Sequence, residues 1–476
     1  MRIVQTFWTA GQDPLKHAFG WLHPEYNLMS WALSCLSLRE HYDEVALYTD
    51  SEGKRILIDE LHLPYTEVNV IFDDFPCLPQ HWALAKIKTY SLQTQPFLHV
   101  DGDVFVPKPF SEEILQAPLI AQNREIGTEY YRNMVNKILA YSTLKFPIFL
   151  KEGMQADSLP SYNMGIFGGQ DLFFIGHYCR QVMEFMDDNH LNDTESINSK
   201  ASCNVLYEQI FLALIVEYQQ KKVSTLISQG FIDNGYTVGD FCDLNKYEQK
   251  AFFHILGGHK GNPHVLEMLE KAMLRNYPQK YKEILSLFPY RFRRLNPDVH
   301  FIKPPVSAER CIAQYEDFLD EQELKWESLI FDDVFQWELC CARSVPLMEE
   351  IIENKTCPHL IRHPHYVLFN IPQVWHPWAT EQLKIHLNWD RKAPLNRILV
   401  MPTLGERGLK ESGISEMQFK ILSVLGGRSM TWDELLQEIV GEFNIENEDA
   451  QKGIKKHLNS EIRYLLQKGI VFALDK

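Results

Sequence analysis

Residues 96–110 read PFLHVDGDVFVPKPF. The apolar run Phe97–Val100 has the character of a buried strand. Two carboxylates follow, Asp101 and Asp103, with only Gly102 between them, and apolar residues resume at Val104 and Phe105. Burying ionised aspartates beside a strand is costly unless something pairs with them. A D-x-D at the carboxyl end of such a strand puts two oxygen ligands at a sheet edge, where open α/β sheets bind ligands. Hard divalent cations take carboxylate oxygens and leave positions open for phosphate oxygens. Asp-Gly is also a favoured turn dipeptide, so a solvated turn is the plainer alternative at this stage.

Outward from this stretch, residues 1–290 alternate apolar strands with helical patterns, which predicts an α/β layer fold. RIVQTFW, EVALYTD and YTEVNVIF read as strands before the D-x-D, and NLMSWALSCLSLREHY and HWALAKIKTYSLQTQ as helices. APLIAQN and SYNMGIFGG read as strands after it. CNVLYEQIFLALIVEYQQ reads as a helix, AFFHILGGHKGNP as a strand entering a turn, and HVLEMLEKAMLRNY as a closing helix. Composition shifts at RFRRLNPDVHFIKPPV, where Pro297, Pro304 and Pro305 predict a boundary. Residues 306–405 are aromatic-rich and read as an α+β middle region. Residues 410–476 show three amphipathic helices and a closing strand, which with a terminal hairpin make a winged-helix pattern.

The 476 residues suit two to four domains. Apolar content of 45% and charged content of 23% fit an ordinary globular protein. MRIVQTFWTAGQ begins as a strand and has no secretory h-region. The apolar run IFLALIV is too short to span a bilayer. The cysteine count of 9 is odd and without C-x-x-C spacing, so reduced thiols and a cytoplasmic location are expected. A net charge of −16 disfavours broad nucleic-acid or anionic-membrane binding.

Three further stretches carry candidate chemistry. In HILGGHKGNP, His254 precedes a turn that Gly257 and Gly258 permit, and Lys260 follows on it. A histidine suits a carboxylate metal site and a lysine suits the phosphates such a metal carries. A core histidine and a surface lysine are the bland reading. In SYNMGIFGGQD, Asn163 is an amide in an apolar strand and must find hydrogen bonds, from backbone or from a polyhydroxyl ligand. In LYEQIFLALI, Glu208 and Gln209 enter an apolar helix together, as a functional pair or as an outward polar face.

Taken in order, these stretches resemble the GT-A nucleotide-sugar glycosyltransferases, and most of all the glycogenin and lipopolysaccharide-galactosyltransferase group (glycosyltransferase family eight). That group has a strand-terminal D-x-D, an F-N-[SA]-G-[VI] strand, a D-Q helix start and an H-x-x-G-x-x-K turn. Here they stand as DGD at 101–103, YNMGIF at 162–167, EQ at 208–209 and HILGGHK at 254–260. The resemblance covers residues 1–275. It departs at Glu208, one methylene longer than the family's aspartate, at Met164, and at Gly261, where proline is usual.

The resemblance implies a GT-A, Rossmann-like mixed sheet and transfer of a sugar from a nucleotide-sugar donor of the UDP-sugar kind, with retention. It implies Mn²⁺ or Mg²⁺ held by Asp101, Asp103 and His254. Lys260 and Gly257 resemble the diphosphate cradle, and Lys86 the basic residue that reaches phosphates or sugar. Asn163 and Glu208 resemble donor-sugar contacts, and Gln209 the residue on the sugar face opposite the leaving group. Asp50, which ends the second strand, is a further candidate for the nucleotide.

Within 410–476, Lys452, Lys455, Lys456 and Arg463 recur along the last helix, but acidic residues such as Glu442, Glu446, Glu448 and Asp449 outnumber basic ones. That balance suits a peptide or protein acceptor better than DNA. A faint pattern-level likeness to leader-peptide-binding winged helices points the same way. Two rival readings stand beside the enzyme: a catalytically silent GT-A domain that binds a nucleotide sugar or a partner, and a winged-helix DNA regulator, which steep salt dependence would mark.

Overall fold

The computed structural model describes residues 1–139, 144–191, 204–233, 235–288, 293–294, 306–326, 334–344, 359–372, 377–387, 389, 391, 394–403, 408–426, 428–442 and 447–474. The chain forms two compact units, Met1–Leu269 and Glu270–Lys476. The sequence reading ended the first domain at residue 290, on the composition shift and prolines that follow, whereas the helix Pro278–Ser286 falls in the second unit. The proline-marked boundary at Pro297, Pro304 and Pro305 lies outside the described residues. Among the described residues no helix is long and apolar enough to cross a membrane.

The first unit is built on β1 (Arg2–Phe7), β2 (Val45–Thr49), β3 (Glu67–Val70), β4 (Phe97–Val100), β5 (Val104–Phe105), β6 (Ile120–Gly127), β7 (Leu159–Gly169), β8 (Ser224–Ile232) and β9 (Phe253–His254). Seven of them form one mixed sheet in the order β3-β2-β1-β4-β7-β6-β8. β3, β2, β1 and β4 run parallel. β7 is antiparallel to both β4 and β6, while β8 runs parallel to β6. All of β2 and β4 is buried, as expected of parallel strands covered on both faces.

The helix Pro24–Arg39 starts with proline in its first turn and ends on a basic residue, both favourable for a helix. On the sheet, Phe167 packs against Tyr90 at 5.1 Å and Tyr178 at 6.1 Å between ring centroids. Burying Phe167 completely contributes about 2–3 kcal/mol. Within the predicted helix over 203–220, Leu206–Ile210 forms a π-helical turn that feeds the α-helix Phe211–Tyr218.

The second unit has β10 (Arg293–Arg294), β11 (His359–Arg362), β12 (Val367–Asn370), β13 (Arg397–Pro402), β14 (Gly408–Ile414) and β15 (Val471–Leu474). Four of them form a sheet in the order β10-β14-β13-β12. The three expected helices are Glu416–Leu425, Trp432–Glu442 and Glu448–Gln467. Ser415 and Gln418 close a reciprocal capping box on the first, and Gly426, at φ 47°, ends it.

The expected terminal hairpin is a correction. β15 pairs antiparallel with β11, more than a hundred residues upstream, and Leu360 of β11 also bridges Met430. Leu360, Leu399, Leu425, Trp432 and Val471 share one core, so residues 306–405 and 410–476 are joined where the sequence reading parted them. Of the acidic residues named there, Glu446 lies outside the described residues.

Candidate functional site

The sheet edge after β4 is a tight turn. The Asp101 amide donates to the Gly165 carbonyl (2.8 Å), and the Val104 amide donates back to the Asp101 carbonyl (3.0 Å). A Cβ on Gly102 would lie 2.4 Å from the Trp31 ring, so only glycine fits there. The helix Pro24–Arg39 secures the turn through serines at i, i+4 and i+7 positions: Ser30 donates to the Gly102 carbonyl (2.7 Å), Ser34 to the Asp101 carbonyl (3.3 Å), and Ser37 accepts from the Val106 amide (3.0 Å). The sequence reading missed this stripe, although its helical spacing is visible. After the turn, β5 pairs antiparallel with β9 and sets Val104 opposite His254, and the Ile255 amide donates to the Asp103 carbonyl (3.0 Å). One ligand atom each of Asp101, Asp103 and His254 then lies within 4.8 Å of the others.

Two lysines lean on these carboxylates. Lys86 sits 3.0 Å from Asp101 and also pairs with Glu208, while Lys260 sits 2.7 Å from Asp103. Burial works against the Lys86 ammonium, but the charges of Asp101 and Glu208 outweigh it and hold its pKa above the ordinary lysine value. Burial also pushes on Asp103, yet the Lys260 charge holds its carboxyl well below the usual range. For Asp101, burial and the Asp103 charge win over Lys86, and its pKa is raised. Glu208 is raised chiefly by burial, which the Lys86 charge opposes. His99, fully buried 3.5 Å from Asp101, is kept neutral first by burial and then by the Lys86 charge.

The residues present fit a cation. His254 Nδ1 faces Gln122 Oε1 at 2.8 Å, so Nδ1 carries the ring proton and Nε2 is bare when the ring is neutral. That bare nitrogen faces Asp103 Oδ1 at 3.3 Å, an oxygen that no hydrogen-bond donor reaches among the described residues. Two electron-pair donors that face each other across this gap suit a shared divalent ion. Gly165 makes the arrangement possible, since a Cβ there would lie 2.3 Å from His254 Cε1 and 2.9 Å from Gln122 Oε1. Gly165→Ala should displace the imidazole and weaken Mn²⁺ binding about 10-fold or more by calorimetry. Unchanged affinity would show that His254 is no ligand.

The other predicted residues fall in three places. Asn163 and Glu208 are buried near this centre, and the Asn163 amide oxygen accepts from the Gly165 amide (3.0 Å). Gln209 places its side-chain oxygen 3.5 Å from the Tyr131 hydroxyl, which also donates to Glu125, the carboxylate that Asn163 reaches. Gly257, at φ 53°, provides the left-handed reversal that returns the chain so that Lys260 meets Asp103. Asp50 is committed to the fold: its oxygens accept from the Thr9 amide, the Thr9 hydroxyl and the Gly53 amide, each at 2.8 Å. The sequence reading passed over Gln122, Asn123 and Glu125, all buried on β6. Their signal was a polar run inside a strand.

Residues 1–287 match a family of unknown function (DUF6734), and the chain belongs to it. No curated protein matches the chain.

Proposed function

We propose that the first unit is a metal-dependent, retaining glycosyltransferase of the GT-A kind that uses a nucleotide sugar, of the UDP-sugar class, as donor. One observation carries the reading: Asp101, Asp103 and His254 converge at the carboxyl edge of the sheet with Lys260 directly on Asp103. The mixed sheet, parallel through β3-β2-β1-β4 and then antiparallel, supports the same reading.

In this reading Asp101, Asp103 and His254 hold Mn²⁺ or Mg²⁺, which when bound offsets charge on the diphosphate. Lys260 is only partly buried (22% exposed) and adds its ammonium to the same phosphates. Lys86, locked between Asp101 and Glu208, keeps both carboxylates oriented. Asn163 and Gln209 supply amide groups for the sugar. In the transfer, the bond from the anomeric carbon to the phosphate oxygen breaks and a bond to the acceptor oxygen forms. The acceptor proton leaves with the diphosphate, so no strong base is needed on the far face of the sugar.

The second unit is proposed to engage a peptide or protein acceptor through the helices Glu416–Leu425, Trp432–Glu442 and Glu448–Gln467, in a winged-helix arrangement in which β11 pairs with β15. Acidic residues outnumber basic ones in its last segment, and some basic ones pair within it, as in Arg428–Glu438 (2.7 Å) and Arg391–Glu461 (2.6 Å), which disfavours a DNA surface. The test is a screen of donor hydrolysis across nucleotide sugars with Mn²⁺ and with chelator. Slow, Mn²⁺-dependent hydrolysis of one donor is expected. Tight donor binding with no hydrolysis and no transfer would instead make the domain a binder.

A further inference from the structure

Each aspartate of the cation centre carries a lysine, and each of those lysines lies against a tryptophan. On the Asp103 side, the Lys260 ammonium is 5.4 Å from the centre of the Trp21 ring. On the Asp101 side, the Lys86 ammonium is 5.8 Å from the centre of the Trp82 ring. Both distances suit a cation–π contact. The two pairs are built in opposite senses. Trp21 is 7% exposed and supports a lysine side chain that is 22% exposed. The Lys86 side chain is 7% exposed, and Trp82 is 52% exposed. In the first pair the ring is scaffold and the charge reaches solvent. In the second the charge is scaffold and the ring reaches solvent.

The backbone that carries Trp82 is pinned on both sides. The His81 ring donates through Nε2 to the Leu191 carbonyl (3.1 Å). The Asn204 amide spans the position: its Nδ2 donates to the Gln80 carbonyl (2.8 Å), and its Oδ1 accepts from the Ala83 amide (3.2 Å). His81 and Ala83 are fully buried, and Trp82 between them faces water. Trp82 caps the helix Ala83–Ser91 and stands four residues before Lys86, on the same helix face. A single exposed apolar side chain is ordinary on a protein surface. This one is held beside an ammonium that bears on Asp101 and Glu208.

The two sides of the centre therefore offer different chemistry. Phosphates are drawn to Lys260, whose charge is accessible. Lys86 is spent on Asp101 and Glu208, so its side offers an apolar ring next to buried polar groups. Lys86 Nζ is also 3.4 Å from the carbonyl of Met164, the neighbour of Asn163, so the ring shares this side with the proposed sugar contacts. An apolar face bordered by a few convergent polar groups suits a pyranose, which has a C–H face and a rim of hydroxyls. We propose that Trp82 is the platform on which a hexopyranose ring stacks, and so a specificity-determining residue of the transfer. The inference rests on the glycosyltransferase reading. The same ring chemistry is supplied by the donor's sugar or by a sugar on the acceptor, and the test separates the two.

Calorimetry on the full chain with Mn²⁺ compares UDP with UDP-glucose, UDP-galactose and UDP-N-acetylglucosamine. Saturation-transfer NMR on the Mn²⁺–UDP complex reads the methyl glycosides of the same sugars. If the platform takes the donor's ring, Trp82→Ala should weaken the preferred UDP-sugar by about 5–100-fold, the range for a base stacked on an aromatic side chain, and UDP by less than about 2-fold. If it takes the acceptor's ring, UDP-sugar affinity should hold and saturation transfer to the glycoside should be lost. In either case Trp82→Tyr, which keeps an aromatic face, should recover most of the loss. The ring is exposed, so circular dichroism should be unchanged in both variants. The inference is overturned if Trp82→Ala changes neither readout. It is equally overturned if UDP or Mn²⁺ is weakened as much as the UDP-sugar, since the ring would then stack the base or only brace Lys86. If the wild type binds neither Mn²⁺ nor UDP, the proposed function fails, and glycoside binding without nucleotide alone decides the role of Trp82.

Discussion

Mn²⁺ titrated into the Asp103→Asn chain should give binding at least about 10²-fold weaker than wild type, and metal-dependent binding of UDP should fall with it. The substitution keeps the shape of the side chain and removes its charge. Asp103 stands between two cationic or cation-seeking groups, with Lys260 at 2.7 Å on Oδ2 and His254 at 3.3 Å on Oδ1. Taking one partner from a buried charge set costs about 3–5 kcal/mol, which is about 10²–10⁴-fold in affinity. The fold should survive, because Lys260 is partly exposed and can turn to water. Asp101→Asn should weaken the metal similarly, while Lys86 keeps Glu208 as its partner. Circular dichroism would establish that both variants are folded. If both folded variants bind Mn²⁺ and UDP as tightly as wild type, with or without chelator, the metal reading is wrong.

The legible part of this site lay in local pattern. Phe97–Val100 is an unbroken apolar run, and a carboxylate straight after it must sit at the end of a buried strand. Gly257 with Lys260 reads as a turn bearing a charge. The pairing that makes these one site was not legible. β5 and β9 are two residues each and about 150 residues apart in the chain, too short to carry a periodicity. The same limit hid the pairing of β15 with β11, since a strand's partner is set by tertiary packing rather than by its own residues. Asp50 shows the converse. A carboxylate at a strand end resembles a ligand contact in sequence, yet Thr9 and Gly53 use its oxygens to join two chain segments. Glu125 was hidden because it has no charged partner among the described residues, and its phenol and amide donors lie on other strands, helices and loops.

Lys260→Ala should lower kcat for donor hydrolysis or transfer by about 10²–10³-fold while donor affinity changes less than about 10-fold. In the resting site the Lys260 ammonium is 2.7 Å from Asp103 and 5.4 Å from the centre of the Trp21 ring. It is therefore already neutralised in part by a carboxylate, which limits what it can add to ground-state binding of a diphosphate. Its removal also takes a positive charge from beside Asp103 and makes that carboxylate more attractive to a divalent ion, which offsets the lost phosphate contact. Neither compensation extends to the moment when the anomeric bond breaks and negative charge gathers on the diphosphate, and the loss is concentrated there. Lys260→Arg keeps the charge and should recover part of kcat, although its planar donors differ in geometry. Steady-state kinetics with calorimetric donor binding on the same variants separates the two effects. Equal losses in binding and in turnover would mean that Lys260 only docks the ground state.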